Sequence, residues 1–376
     1  MFEVLPHFPA DPILGLSTAY KADPNPLKID LGVGVYKDEQ GHTPILTSVA
    51  KAQQILLAKE DSKTYITPQG VPGYIDGMLQ LLLGKGSKVM LEDRVAAVQA
   101  PGGCGALRIL AELIKRCDSE LTVWVSDPTW ANHIPLIGNA GLKIETYPYF
   151  NKADASINFD GMVETLAQVK SGDVVLLHGC CHNPTGADLT PEQWKTVLEL
   201  AQKTGFIPFV DVAYQGFGDG LEPDAYGLRL LVENLPEVII AASCSKNFGL
   251  YRERVGLAAM ITANTQTRKA IQTQIQSIAR GIYSMPPSYG GALVDTLISM
   301  GREISMKEDG LPSFSKEFAW NVFDFSPSID TKVRKIRTIH KTFTYNRKEI
   351  KRRGFSLENP AYFAFAELIS AGVNIP

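Results

Sequence analysis

Lys246 is the residue that asks for an explanation. It stands in SCSKNFGLYRERVG, residues 243–256, directly after EVIIAAS, an apolar run with the β-branched density of a buried strand. A lysine at such a place either reaches solvent along its stem or is put to use. Two further stretches bring reactive side chains to strand ends: HGCCHNPTGAD, residues 178–188, and DVAYQGFGDG, residues 211–220. Gly102, Gly103 and Gly105 surround Cys104 between a strand and a helix, where backbone amides and the helix dipole suit an anion. Singly, each has a structural reading. Asp211 would cap a helix, Tyr214 would pack, Arg254 would pair with Glu253, and the glycines would serve a tight turn. Together, an Asp, a Tyr, an Asn, a Lys and an Arg just past strand ends make an uncommon polar set for a core.

The elements that must position them follow from the hydrophobic pattern. RVAAVQ, LTVWVS, DVVLLH, FIPFVDV and EVIIAAS are short apolar runs, each ended by polar or small residues. They alternate with helical segments from about residue 90 to 290, the pattern of an α/β fold with a mainly parallel sheet buried on both faces. APGGCG reads as a turn and ALRILAELIKRC as an amphipathic helix. In LTPEQWKTVLELAQKTG, Thr190 caps, Pro191 takes the first helical position, Gln193 completes a capping box and Gly205 closes the helix. Ligands of open parallel sheets collect beyond the carboxyl ends of the strands, which is where the reactive residues fall.

NPTGAD, DVAYQGFGDG and SKNFGLYRERVG, in that order and spacing, resemble the fold-type I, pyridoxal-phosphate-dependent aminotransferases, and among them the aspartate and aromatic amino-acid aminotransferases. The likeness runs from about Phe2 to Ser299, roughly four fifths of the chain. It implies that Lys246 forms the Schiff base with pyridoxal 5′-phosphate and then shuttles a proton at the substrate α-carbon. Asp211 would keep the pyridine nitrogen protonated, and Tyr214 and Asn183 would donate to the ring's phenolate oxygen. Trp130 would stack on the ring, with His133 and His178 as supports. The phosphate would be held by Gly103, Cys104, Ser243, Ser245 and Arg254, with Tyr65 reaching it from a neighbouring subunit. Cys104 stands where family members commonly carry Thr, losing a hydroxyl and keeping the amide. Arg280, in IARGIYSMPP, matches the arginine that crosses the interface to a distal substrate carboxylate, and Gly34 would lie close to the substrate. The implied assembly is a homodimer with shared active sites, clasped by an arm such as residues 1–12. The implied reaction moves the amino group of aspartate, or of an aromatic amino acid, to 2-oxoglutarate. Another reaction at the amino-acid α-carbon, or a catalytically impaired relative that only binds the cofactor, stands as the alternative.

The likeness stops near residue 299. A GMFSFSGL-like stretch and an SGRINVAG-like stretch, the second carrying the arginine for the substrate α-carboxylate, are absent from the sequence. The expected organisation is therefore an N-terminal arm and small-domain segment (1–40), a large cofactor-binding domain (41–299) and an atypical C-terminal segment (300–376). Ten Lys and Arg residues crowd 332–353, among phenylalanines without a clear period. A disrupted reading frame and a divergent small domain both account for that segment. A formal net charge of −3 over 376 residues gives no general attraction for nucleic acid or anionic membranes. Five cysteines without paired spacing suit a reducing compartment, and MFEVLPHFPADPILGL has no basic leader, so a cytoplasmic location without membrane spans is expected.

Overall fold

A computed structural model describes residues 2–6, 18–25, 34–36, 38 and 41–309, with side chains of the last helix described up to Gly301. The segment from residue 310 onward, including the basic run, lies outside the described residues. The unit that carries the reactive residues begins at Ile45, and the preceding segment belongs to a separate unit.

Seven strands form one sheet: β1 (Val95–Pro101), β2 (Thr122–Asp127), β3 (Lys143–Pro148), β4 (Val174–His178), β5 (Ile207–Val212), β6 (Val238–Ser243) and β7 (Val255–Ile261). Their order is β1-β7-β6-β5-β4-β2-β3. Strands β2 to β6 pair in parallel, and the apolar runs of β4, β5 and β6 are those of strands covered on both faces. Strand β7 is the departure. It runs antiparallel between β1 and β6. Its start therefore lies at the same sheet edge as the ends of β1 and β6, which brings Arg254, just before it, to the edge where the other reactive residues emerge.

Apolar helix faces cover the sheet on both sides. On one face α3 (Gly102–Cys117) and α8 (Thr265–Tyr283) pack Leu107, Leu110, Ile114, Ile271 and Ile275 against the sheet. The opposite face is covered by α1 (Thr47–Lys59), α2 (Pro72–Leu83), α5 (Phe159–Leu166), α6 (Pro191–Thr204), α7 (Tyr226–Asn234) and α9 (Ser288–Asp309). A one-and-a-half-turn helix, α4 (His133–Gly138), follows β2. Among the described residues no helix is long and apolar enough to cross a membrane.

Local signals decide the boundaries in several places. Helix α6 has the capping box read from its sequence: Gln193 N donates to Thr190 Oγ1 and Thr190 N donates to Gln193 Oε1, with Pro191 inside the start and Gly205 left-handed at the end. Residues 102–105, expected as a turn, already form the first turn of α3. Gly102 is buried beneath Arg254 with φ at 70°, so the helix begins as soon as β1 ends. Helix α9 runs to Asp309, continuous through residue 299 where the sequence likeness weakens.

Replacing Thr190 with Ala should cost about 1 kcal/mol of stability by orphaning a helix N-terminal amide. Urea denaturation of the two proteins measures it, and an unchanged midpoint would show the capping box to be dispensable.

Candidate active site

Arg254 organises the cradle at the sheet edge. Its φ of 53° is in the left-handed region, which a non-glycine residue adopts only when its surroundings fix it. Nη1 donates to Ser245 Oγ at 3.2 Å and to Tyr251 O at 3.0 Å. A Cβ on Gly102 would lie 2.3 Å from Nη2, so only glycine lets the guanidinium close over the start of α3. Two residues past Arg254, Gly256 permits a second close approach: a Cβ there would sit 2.4 Å from the backbone of Gly102. The result is a convergence of donors on one spot: a guanidinium, the hydroxyls of Ser243 and Ser245, and the N-terminus of a sixteen-residue helix. Such a set suits a phosphate.

Asp211 lies beside this cradle, near the end of the central strand β5. Register pairs it with His178 on β4 and with the small Ala241 on β6. A chain of hydrogen bonds fixes its surroundings. Asn183 N donates to His178 Nδ1 at 3.4 Å, so the His178 proton is on Nε2 and goes to Thr129 Oγ1 at 3.2 Å. The Thr129 hydroxyl then donates to His133 Nδ1 at 2.8 Å, which leaves His133 Nε2 to donate to Asp211 Oδ2 at 3.0 Å. One backbone amide thus sets two tautomers and presents Asp211 with a donor. The side chain of His133 is fully buried and that of Asp211 is 12% exposed.

A second histidine stack supports the first. His182 stacks on His178 and on Tyr149, each at 4.0 Å between centroids, and is bonded to Ser126 and Thr185. Burial holds both His178 and His182 uncharged, with His178 well below the usual range and His182 lowered to about 3. Neutral rings are what the donor-acceptor chain requires.

Lys246 and Tyr214 complete the group. Lys246 Nζ is 5.4 Å from the centre of the Tyr214 ring, and the lysine is half-buried. Burial lowers the Lys246 pKa and Arg254 lowers it further, against the opposing pull of Asp211 and Cys104. Tyr214 is pushed up to about 12, first by burial and then by Asp211. Trp130 meets His133 edge to face at 5.2 Å, and Cys104 Sγ accepts from Asn132 Nδ2 at 3.5 Å.

Most residues singled out in the sequence therefore converge: Cys104, Trp130, Asn183, Asp211, Tyr214, Ser243, Ser245, Lys246 and Arg254, with Gly103 at the start of α3. Tyr65 is 87% exposed and Arg280 is exposed near the end of α8, both on the outside of the single chain. Gly34 belongs to the separate unit before Ile45. Sequence reasoning missed Thr129, Asn132, His182 and Asp188. Asp188 takes the Cys181 and His182 amides at 2.9 and 2.8 Å and so holds the loop that supplies Asn183. Its place in NPTGAD was the available signal.

The family model for aminotransferase class I and II matches residues 26–310. The chain is 46% identical over 299 residues to an aspartate aminotransferase of Escherichia coli (strain K12), an alignment covering 80% of this chain and 76% of the relative. It is 45% identical over 325 residues to an aromatic-amino-acid aminotransferase of Paracoccus denitrificans, covering 85% and 82%. Among solved structures, an aromatic-amino-acid aminotransferase from Burkholderia pseudomallei, covalently bound to pyridoxal phosphate, superposes with a TM-score of 0.83 at 34% identity, covering 97% of this chain and 86% of that one.

Because burial disfavours the Lys246 ammonium, its proton should leave at a lower pH than that of an exposed lysine. In cofactor-free protein, acylation of Lys246 followed by peptide mass spectrometry should rise at lower pH than acylation of exposed Lys143, and Asp211→Asn should move the Lys246 profile lower still. Coincident profiles for the two lysines would overturn the assignment.

Proposed function

The chain belongs to the class I and II aminotransferase family, and on that premise we propose that it transfers the amino group of aspartate to 2-oxoglutarate at the Lys246 site. Family members transaminate with pyridoxal 5′-phosphate, so the chain is an enzyme and pyridoxal phosphate is its cofactor. The observation that carries the site assignment is the half-buried Lys246 amine beside Tyr214 and Asp211, with the Arg254 cradle next to it. The donor set and the glycine-lined cradle fit a phosphorylated, nitrogen-containing ring.

When bound, pyridoxal phosphate supplies an electron sink and the carbon that carries the amino group between substrates. The protein's own groups do the rest. Arg254, Ser243, Ser245 and the amides of Gly103 and Cys104 hold the phosphate. Asp211, which accepts the His133 N–H, would hold a proton on the ring nitrogen. Tyr214 and Asn183 donate to the ring oxygen, and burial of Tyr214 keeps its hydroxyl a donor across the working pH range. Trp130 covers the ring face. The Lys246 amine would carry the proton at the substrate α-carbon, a task suited to an amine whose pKa burial has lowered.

Arg280 is assigned to the distal carboxylate of a dicarboxylic substrate and Tyr65 to a phosphate, both in the neighbouring copy of a homodimer. Their support is exposure: neither reaches the Lys246 group of its own chain, and among the described residues no acidic side chain pairs with Arg280. Most of the expected N-terminal arm lies outside the described residues. Gly34 is kept as a substrate-side residue and the large cofactor domain as residues 41–299. A cytoplasmic location completes the reading, supported by five free cysteines.

The visible spectrum of the holoenzyme tests the reaction. Aspartate should convert the bound cofactor to its amino form and 2-oxoglutarate should restore it, while Lys246→Ala should slow conversion at least about 10³-fold. A cofactor band that aspartate leaves unchanged but phenylalanine converts would move the substrate assignment to aromatic amino acids. Shared sites have their own test. Mixed dimers of Lys246→Ala and Arg280→Ala chains should regain activity that neither parent has, because one site then holds both residues intact. Mixed dimers as inactive as their parents would place Arg280 outside the partner's site.

A further inference from the structure

Cys180 and Cys181 take no part in the chemistry above, yet with Asp224 they form a group whose ligand atoms all lie within 4.8 Å of one another. Successive side chains of an extended segment point to opposite sides, so neighbouring cysteines ordinarily cannot share a ligand. Here Cys181 has a φ of 51°, a left-handed conformation that a non-glycine residue adopts only when its surroundings hold it. That turn brings its sulfur to the side of Cys180. The conformation is held by Asp188, which takes the Cys181 and His182 amides on its two oxygens.

The third member is equally fixed. Asp224 Oδ2 accepts from Gly216 N at 2.9 Å and from Gly218 N at 2.8 Å, and Oδ1 accepts from Asp219 N at 2.7 Å. These bonds aim the carboxylate and leave Oδ1 with an unused lone pair. Cys180 is 6% exposed and Asp224 8%, while Cys181 is half-buried and opens the group to solvent on one side.

We propose that Cys180, Cys181 and Asp224 bind a thiophilic divalent cation of the zinc and cadmium kind. Two thiolates and one carboxylate select such ions over magnesium or calcium, which prefer oxygen alone. A tetrahedral site with metal–sulfur bonds of about 2.3 Å needs ligands about 3.8 Å apart, a spacing that the group can meet. Water from the Cys181 side takes the fourth position. On binding, two S–H bonds break as two sulfur–metal bonds form, and the two protons pass to solvent; no electrons change hands. The same loop carries Asn183, two residues after Cys181. The cation is therefore an inhibitor of the cofactor site. That consequence rests on the role proposed for Asn183; the binding itself does not.

Titration of metal-free holoenzyme with Cd²⁺, followed by sulfur-to-cadmium absorption in the ultraviolet and by calorimetry, tests the binding. One Cd²⁺ per chain is expected, with affinity lowered at least about tenfold in Cys181→Ser and in Cys180→Ser and unchanged in Cys117→Ser, which removes an exposed thiol elsewhere. X-ray absorption of the cadmium complex should count two sulfur neighbours, a readout that holds even if one variant folds poorly. Absence of the band, equal affinity in Cys181→Ser, loss of binding in Cys117→Ser, or a single sulfur neighbour would each overturn the site. Binding that persists with aspartate conversion unimpaired would overturn the inhibition alone and leave the site standing.

Discussion

The Asp211 carboxylate on the central strand is the constraint around which the rest is arranged. Charge in the middle of a sheet edge is costly unless it is met by donors, and among the described residues the donor to Oδ2 is a histidine that must itself be held in one tautomer. That requirement propagates outward. His133 needs the Thr129 hydroxyl, Thr129 needs the His178 proton, and His178 needs the Asn183 amide. The loop after β4 is thus fixed by the needs of a residue on the neighbouring strand. Burial helps rather than hinders, because a protonated His178 would have no acceptor for its Nδ1 proton where the Asn183 amide already points.

The cradle obeys a complementary logic. Positive charge on Arg254 is brought over the start of α3 by an unfavourable backbone conformation, and room for it exists because Gly102 has no side chain. The antiparallel entry of β7 is what makes this geometry available. A parallel strand in that place would start at the far edge of the sheet and leave the guanidinium there. Asp211 and Arg254 act on the Lys246 proton in opposite directions, and burial tips the balance toward the free amine. Its nucleophilic character is a property of this placement rather than of the lysine.

Much of this was legible in residue order. The apolar runs that became β1, β2, β4, β5 and β6 stood out by length and β-branching, and the capping box of α6 was spelled out from Thr190 to Gly205. The reactive residues were legible because they cluster in short motifs at strand ends. Strand β3 and the antiparallel β7 were not read, since KIETYP and VGLAAMI look like ordinary apolar or mixed segments and direction leaves no mark on composition. The supporting residues were hidden for a similar reason: Thr129, His182 and Asp188 are common types whose value lies in which neighbour they touch.

By itself, the sequence determined the α/β alternation, the family and the identities of the residues at the strand ends, because periodicity and short motifs are local properties of a chain. Only the tertiary structure decided which of those residues meet. It set His178 beside Asp211 through strand register, placed Arg254 over Gly102 through the direction of β7, and left Tyr65 and Arg280 on the outside of the chain. Each of these depends on contacts between segments far apart in sequence, and such contacts follow from packing and hydrogen-bond geometry that no single stretch of residues contains.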